Sequence, residues 1–188
     1  MADKLESIIE GCKRGDKKSQ ERLYRRLSGQ LFAICLRYAD NYEEARDYLQ
    51  EGFINVFNSI KQYEGKGSFE GWMKKIIINT VLQGIRKKRF MIPLVHDYQD
   101  NYEFHLPHMP TDLSESDLLG MIQELPRNYR IVFNLYAIEG YKHNEISQML
   151  NITENTSKSH LFRARTKLQE KVNHHYSKVK RVYKSSVF

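Results

Sequence analysis

The sequence predicts an all-α protein: two small helical domains joined by an irregular linker. Three observations predict it. Apolar residues recur at intervals of three and four along most of the chain, the period of a helix with one buried face. Only ten glycines and four prolines interrupt 188 residues. Three of those prolines (Pro93, Pro107, Pro110) fall in one stretch, 91–113, where the periodicity disappears and a linker is expected.

The first expected helix runs from about Lys4 to Arg14, on a stripe of Leu5, Ile8, Ile9 and Cys12, and stops at Gly15. Asp16 is placed to cap a second helix, which buries Leu23, Leu27, Leu31, Ile34 and Cys35 and ends near Tyr38. Asn41 and Glu44 have capping-box spacing before a third helix with Ala45, Leu49, Phe53, Val56 and Ile60 inward. The run Tyr63-Glu64-Gly65-Lys66-Gly67 breaks the pattern, and Ser68 can cap a fourth helix reaching about Arg89. After the linker, helices are expected from near Ser114 to Pro126 and from Asn128 to Glu139, followed by a pair between Tyr141 and Leu168. The domains are therefore 1–90 and 114–176, with 177–188 expected as a frayed basic tail.

Thirty Lys and Arg against twenty-three Asp and Glu give a formal charge of +7 and a pI near 9.3. That balance favours polyanionic partners without proving one. The two cysteines, Cys12 and Cys35, make neither a disulfide framework nor a metal pattern, and each sits on an apolar stripe as a buried free thiol. No signal peptide and no spanning apolar run are seen, so a cytoplasmic protein without membrane insertion is expected. In that compartment the sequons at Asn151 and Asn155 are coincidental. No carboxylate cluster, Gly-rich phosphate loop or metal-spaced His/Cys set points to an enzyme, a cofactor or a metal.

Two surfaces carry the functional expectation. The segment YKHNEISQMLNITENTSKSHLFRARTKL has the layout of a helix-turn-helix. Ile146, Met149 and Leu150 are its first buried side, Thr153 caps its second helix, and Ser157, Leu161, Ala164 and Leu168 face inward. Lys158, Ser159, Phe162 and Arg163 lie away from that stripe, with chemistry suited to base edges, while Arg165 and Lys167 suit phosphates. Upstream, at about 100° per residue, Trp72, Lys75, Asn79, Gln83 and Arg86 share one helix side opposite Ile77, Ile78, Val81 and Ile85. Before them stands a loop with Tyr63, Lys66, Ser68 and Phe69. Aromatics interleaved with cations and amides suit unstacked bases. The helix-turn-helix alone fits a stand-alone regulator of duplex DNA, a reading that leaves the upstream surface without a role.

The chain resembles the extracytoplasmic-function (ECF) group of bacterial sigma factors. EEARDYLQEGFINVFNSIKQYEGKGSFEGWMKKIIINTVLQGIRKKR is similar to that family's region two, and the stretch from about Ser114 to Val172, including LPRNYRIVFNLYAIEGYKHNEISQMLNITENTSKSHLFRARTKL, to its region four. The resemblance implies a promoter-specificity subunit of RNA polymerase. The segment from Asp47 to Ile60, DYLQEGFINVFNSI, matches the surface that docks on the polymerase clamp helices, with Asp47, Tyr48, Leu49, Gln50, Glu51 and Phe53 as its contacts or, for the aromatic and apolar ones, partly core. The Tyr63–Phe69 loop matches the receiver of a flipped promoter base, and the helix from Trp72 to Arg89 the reader of the minus-ten element, with Asn79 the leading base contact. Lys158, Ser159, His160, Phe162, Arg163 and Arg165 match the minus-thirty-five surface. Leu118, Leu119, Leu125, Val132 and Leu135 match the region-four core and the groove for the flap tip. The implied partners are core polymerase and promoter DNA, duplex and melted. Members of the group are often held by an anti-sigma protein, which no residue here demonstrates. Ser157 stands where the family more often has Val, and His160 where it has Arg or Gln.

Overall fold

The structure, a computed structural model, describes residues 5–89 and 114–185, with side chains for 5–87, 114 and 116–177. The expected linker, 91–113, lies outside the described residues. All regular structure among the described residues is helical, as the spacing predicts. The chain divides into two compact units, residues 1–94 and 95–188.

The first unit contains α1 (Leu5–Lys13), α2 (Lys17–Tyr38), α3 (Tyr42–Ser59), a 3-10 turn (Ile60–Gln62) and α4 (Phe69–Arg89). Asp16 caps α2, accepting from the backbone N–H groups of Lys18 and Ser19. At the start of α3, Asn41 accepts from the Glu44 N–H (2.8 Å), but Glu44 reaches back to the N–H of Asp40, one residue before the expected partner. The expected inward residues Leu23, Leu27, Leu31, Ala45, Leu49, Phe53, Val56 and Ile60 are buried, joined by Met73, Ile77, Ile78, Val81, Leu82 and Ile85 of α4. Cys12 and Cys35 are buried free thiols. Burial pushes the first up to about 11 and the second to about 12, so both stay protonated and unreactive at neutral pH.

The second unit contains α5 (Glu115–Gln123), α6 (Arg127–Phe133), a π-helical turn (Asn134–Ile138), α7 (His143–Leu150) and α8 (Glu154–Ser185). The sequence predicts one regular helix up to Glu139; the structure widens its last turn into a π turn. Gly140 (φ 79°) then ends it in a left-handed conformation. Ile122, Leu125, Ala164 and Leu168 form a core joined by half-buried Leu118, and Val132, Leu135 and Ile146 are also buried. The expected fray after Ser177 is not found, since α8 continues to Ser185. No Gly or Pro interrupts it, and the Asn173 carbonyl accepts from the Ser177 hydroxyl. Among the described residues no helix is long and apolar enough to cross a membrane.

Candidate nucleic-acid interface

In the first unit the loop after the 3-10 turn is folded on itself. Gly65 (φ 77°) and Gly67 (φ 86°) take left-handed conformations that other residues rarely adopt. The Tyr63 hydroxyl closes the loop by donating to the Gly67 carbonyl at 2.8 Å. Ser68 accepts from the Gly71 N–H at 3.0 Å, which starts α4 as expected. The Tyr63 ring lies 5.0 Å from Phe69 and 5.5 Å from Trp72, and these two stack at 5.6 Å. Lys66 and Ser68 are exposed and Tyr63 is half-buried, but Phe69 is only 3% exposed. Phe69 is thus a correction: it is the floor behind the loop and no DNA contact, because the first turn of α4 points it at the core. From Trp72 onward α4 presents the expected face, with Lys75, Asn79 and Gln83 exposed and Trp72 and Arg86 half-buried. Ile77, Ile78, Val81 and Ile85 pack on the other side.

The expected polymerase surface on α3 separates into two sets. Asp47, Gln50 and Glu51 are exposed. Tyr48, Leu49 and Phe53 are buried and are corrected to core residues. The Tyr48 hydroxyl donates to Glu44 at 2.7 Å, and Phe53 packs between the rings of Tyr24 and Phe57. At 3.6 residues per turn a contiguous run cannot lie on one face. The exposed stripe continues instead to Ile54 and Asn58, with Ile54 59% exposed. The resemblance covers Ile54 within the segment from Asp47 to Ile60 without singling it out; its signal is the spacing from Asp47 through Gln50 and Glu51.

In the second unit Glu145 accepts from the Lys142 N–H at the start of α7 (2.8 Å). Asn151, at φ 53°, ends α7 in the left-handed conformation that makes the turn. Thr153 caps α8, accepting from the Thr156 N–H at 3.0 Å. Ile146 and Leu150 are buried as expected, and so are Ser157, Leu161, Ala164 and Leu168; Met149 and Ile152 are half-buried. Measured around α8 from Ser157, Asn155, Phe162, Thr166 and Ser159 lie about 140–200° away and form its outer pole. Lys158 is exposed, and Ser159, Phe162, Arg163 and Arg165 are half-buried.

His160 lies only about 60° from that inward stripe. It is buried, its ring 5.3 Å from Tyr129, and is corrected from a DNA contact to a packing residue. The Arg163 guanidinium donates to the Tyr129 hydroxyl at 3.2 Å, and Arg165 lies over the Tyr136 ring at 5.7 Å. Tyrosines of the preceding helix and π turn therefore hold arginines on opposite flanks of α8. The sequence reading missed these tyrosines, and met Asn155 only within a sequon.

Ser157 is fully buried on the apolar side of α8. Its hydroxyl lies 2.9 Å from His143 Nδ1, the first residue of α7, whose ring stacks on Tyr136 at 4.5 Å. A buried hydroxyl is costly without a partner, so His143 accounts for a polar residue at that position. Burial, reinforced by the charge of Lys158, lowers the His143 pKa below its ordinary value.

A helical protein with a capped helix-turn-helix and a separate aromatic, cationic and amide-bearing helix face belongs among proteins that handle DNA. Family comparison is more specific. Residues 23–90 match sigma-70 region 2 and residues 116–168 match sigma-70 region 4. The ECF RNA polymerase sigma-E factor of Haemophilus influenzae is 24% identical over 186 residues, covering 92% of this chain and 98% of that protein. The ECF RNA polymerase sigma factor SigE of Mycolicibacterium smegmatis is 29% identical over 164 residues, covering 85% of this chain and 63% of the relative. Among solved structures, the sigma factor RpoE of Bartonella quintana, in complex with the anti-sigma factor NepR, shares the fold. Its TM-score is 0.50 at 18% identity, covering 81% of this chain and 96% of that one. The chain belongs to the ECF sigma factors. It is an alternative sigma factor directing transcription initiation, and the stand-alone regulator is not favoured.

Proposed function

We propose that the two units divide promoter recognition between them: residues 1–90 dock on core RNA polymerase and capture the melted minus-ten element, and residues 114–176 read the minus-thirty-five major groove. Residues 91–113 link them. Asp47, Gln50, Glu51 and Ile54 meet the polymerase clamp helices, and the second unit meets the flap tip through the groove beside Leu118 and Leu119. An extruded minus-ten base enters the Tyr63–Gly67 loop, stacks against Tyr63 and Trp72, and offers an edge to Asn79 and Gln83. Lys66, Lys75 and Arg86 follow the backbone. On α8, Lys158, Ser159, Phe162 and Arg163 face base edges together with Asn155, while Arg165 meets phosphate.

The observation that carries this reading is the exposed row Lys75, Asn79 and Gln83 on α4, beside a loop closed by the Tyr63 hydroxyl. Amides and lysines also read paired bases. Here they stand beside the rings of Tyr63 and Trp72, 5.5 Å apart, and rings and amides together suit a base out of the stack. Capture lowers the cost of unstacking, about a few kcal/mol per base, and so favours melting. The protein acts in the cytoplasm, has no catalytic activity of its own, and is restrained by an anti-sigma protein, as the relative solved with NepR is bound by one. Reconstitution with matching core polymerase tests the reading. Transcription from specific promoters in a genomic library is expected, and none from any promoter defeats it.

A further inference from the structure

The last residue of helix α1 lies against the loop. The Lys13 ammonium stands 6.0 Å from the centre of the Tyr63 ring, whose other aromatic neighbours are Phe69 and Trp72. We propose that Lys13 contacts the phosphodiester backbone of the melted strand beside the base held in the loop, so that the single-strand site includes α1. This rests on the promoter-melting reading above.

The position of Lys13 is fixed by packing. Ile8, Ile9 and Cys12 seat α1 in the core. A Cβ at Gly11 would come 2.1 Å from the Ser19 hydroxyl oxygen, so α1 approaches α2 as closely as a glycine allows. Ser19 in turn donates from its hydroxyl to Asp16, the residue that caps α2 (2.6 Å). The ammonium therefore comes to the loop on a rigid support.

A lysine at a helix C-terminus is favourable without any ligand, and here it pairs with Glu10 at 3.0 Å. Two features go beyond that. The Lys13 side chain is 27% exposed against 58% for Glu10, so it lies along the protein toward the loop instead of reaching into solvent. At 6.0 Å it is at the outer limit of attraction to a ring face. Neither the ring nor an exposed carboxylate holds it strongly, and both leave it able to exchange to a phosphate. Lys66, the cation inside the loop, is in an exposed pair with Glu64 at 2.6 Å and can exchange in the same way, so Lys13 adds a second cation beside Tyr63. A base stacked on Tyr63 brings its own phosphate into the reach of Lys13.

The test uses holoenzyme reconstituted from the full chain and core polymerase. Its probes are a fork-junction DNA with a single-stranded minus-ten segment and a duplex carrying the same upstream element. Lys13→Ala should weaken fork-junction binding several-fold whatever the minus-ten sequence and leave duplex binding unchanged. It should reduce the salt slope by about 0.7, the single-strand value for one phosphate. Between 50 and 200 mM salt the wild type should then lose about 2.6-fold more affinity than the variant. Lys13→Arg should keep the contact, and Glu10→Ala, which frees the ammonium, should bind at least as tightly as wild type. An unchanged salt slope for Lys13→Ala overturns the proposal. So does a loss confined to one base identity at constant slope, which would make Lys13 a positioning residue for Tyr63. A wild-type holoenzyme with no preference for the fork junction overturns the melting reading itself, and is distinguishable because it appears before any variant is made.

Discussion

The Tyr48 ring occupies the space left by the missing side chain of Gly84: a Cβ there would lie 2.5 Å from the ring carbon Cε1. Helices α3 and α4 meet at this point and again where a Cβ on Gly52 would lie 2.3 Å from Ile77 Cδ1. Both neighbours are buried, and the Tyr48 ring is also held at its hydroxyl by Glu44. Gly84→Ala should therefore destabilise the first unit by about 1–3 kcal/mol through overpacking, even though alanine is the better helix former. Denaturant unfolding should show a lower midpoint with an unchanged slope; a midpoint at or above wild type would mean that the crossing is looser than described.

The same crossing shows how far the sequence could be read. The stripes Leu23, Leu27, Leu31 and Ala45, Leu49, Phe53, Val56 follow from period alone, because one face of each helix must be covered. The closeness of α3 to α4 does not, since it depends on two glycines whose partners are distant in sequence. The period already places Leu49 and Phe53 inside, against the contiguous motif that offers them with Tyr48 as contacts, and burial decides for the period. The α4 face was legible because an angle suffices to sort Asn79 from Ile78. The holding of Arg163 by Tyr129 was not legible: it joins residues 34 apart through a contact that no local pattern encodes.

Ile54 tests the corrected polymerase surface. It is a large apolar side chain exposed among Asp47, Gln50, Glu51 and Asn58, and it contributes little to the core. Ile54→Asp should leave the melting temperature near wild type. Its binding to core polymerase, followed by co-elution or titration, should weaken by about 1 kcal/mol or more, roughly fivefold. Undiminished binding would remove α3 from the interface.

Asn79 tests the reader on α4. It is exposed, so Asn79→Ala removes hydrogen-bonding groups without opening a cavity. Open-complex formation should fall by about 1 kcal/mol, roughly fivefold, the usual worth of one hydrogen bond. Affinity for core polymerase should not change. Equal losses in both assays would mean that the side chain supports the fold and not the base.

The His143–Ser157 pair predicts a pH dependence. Burial and the charge of Lys158 hold the folded pKa of His143 below its ordinary value of 6.5, with Glu154 opposing and Arg165 adding to the shift. On acidification the unfolded chain takes up its proton first, so the unfolded state is favoured as pH falls through about 6.5. The loss continues until pH drops below the folded pKa, where both states carry the proton. Urea unfolding at pH 7.5 and 5.5 should thus show lower stability at the acid end. His143→Gln keeps a partner for Ser157 without titrating and should flatten the change. There are seven histidines, so the readout is the difference between wild type and variant. An identical pH response in both would mean that His143 does not titrate differently on folding.

Arg163 tests whether α8 reads sequence through an arginine held from outside the helix-turn-helix. Its guanidinium donates to Tyr129, which fixes the side chain on one flank of the helix before DNA arrives. A held arginine loses less freedom on binding and presents one orientation to a base edge. Arg163→Ala should cost about 1–3 kcal/mol at one base pair of the upstream element and little elsewhere. Tyr129→Phe keeps the ring against His160 but removes the hydroxyl, so it should blur preference at that same base pair while overall affinity stays close to wild type. Binding to a panel of single-base variants at one fixed salt concentration measures both. Uniform weakening across the panel by Arg163→Ala, with a salt slope smaller by about 0.9, would make Arg163 a phosphate contact. Specificity would then rest on Asn155, Ser159 and Phe162 at the outer pole.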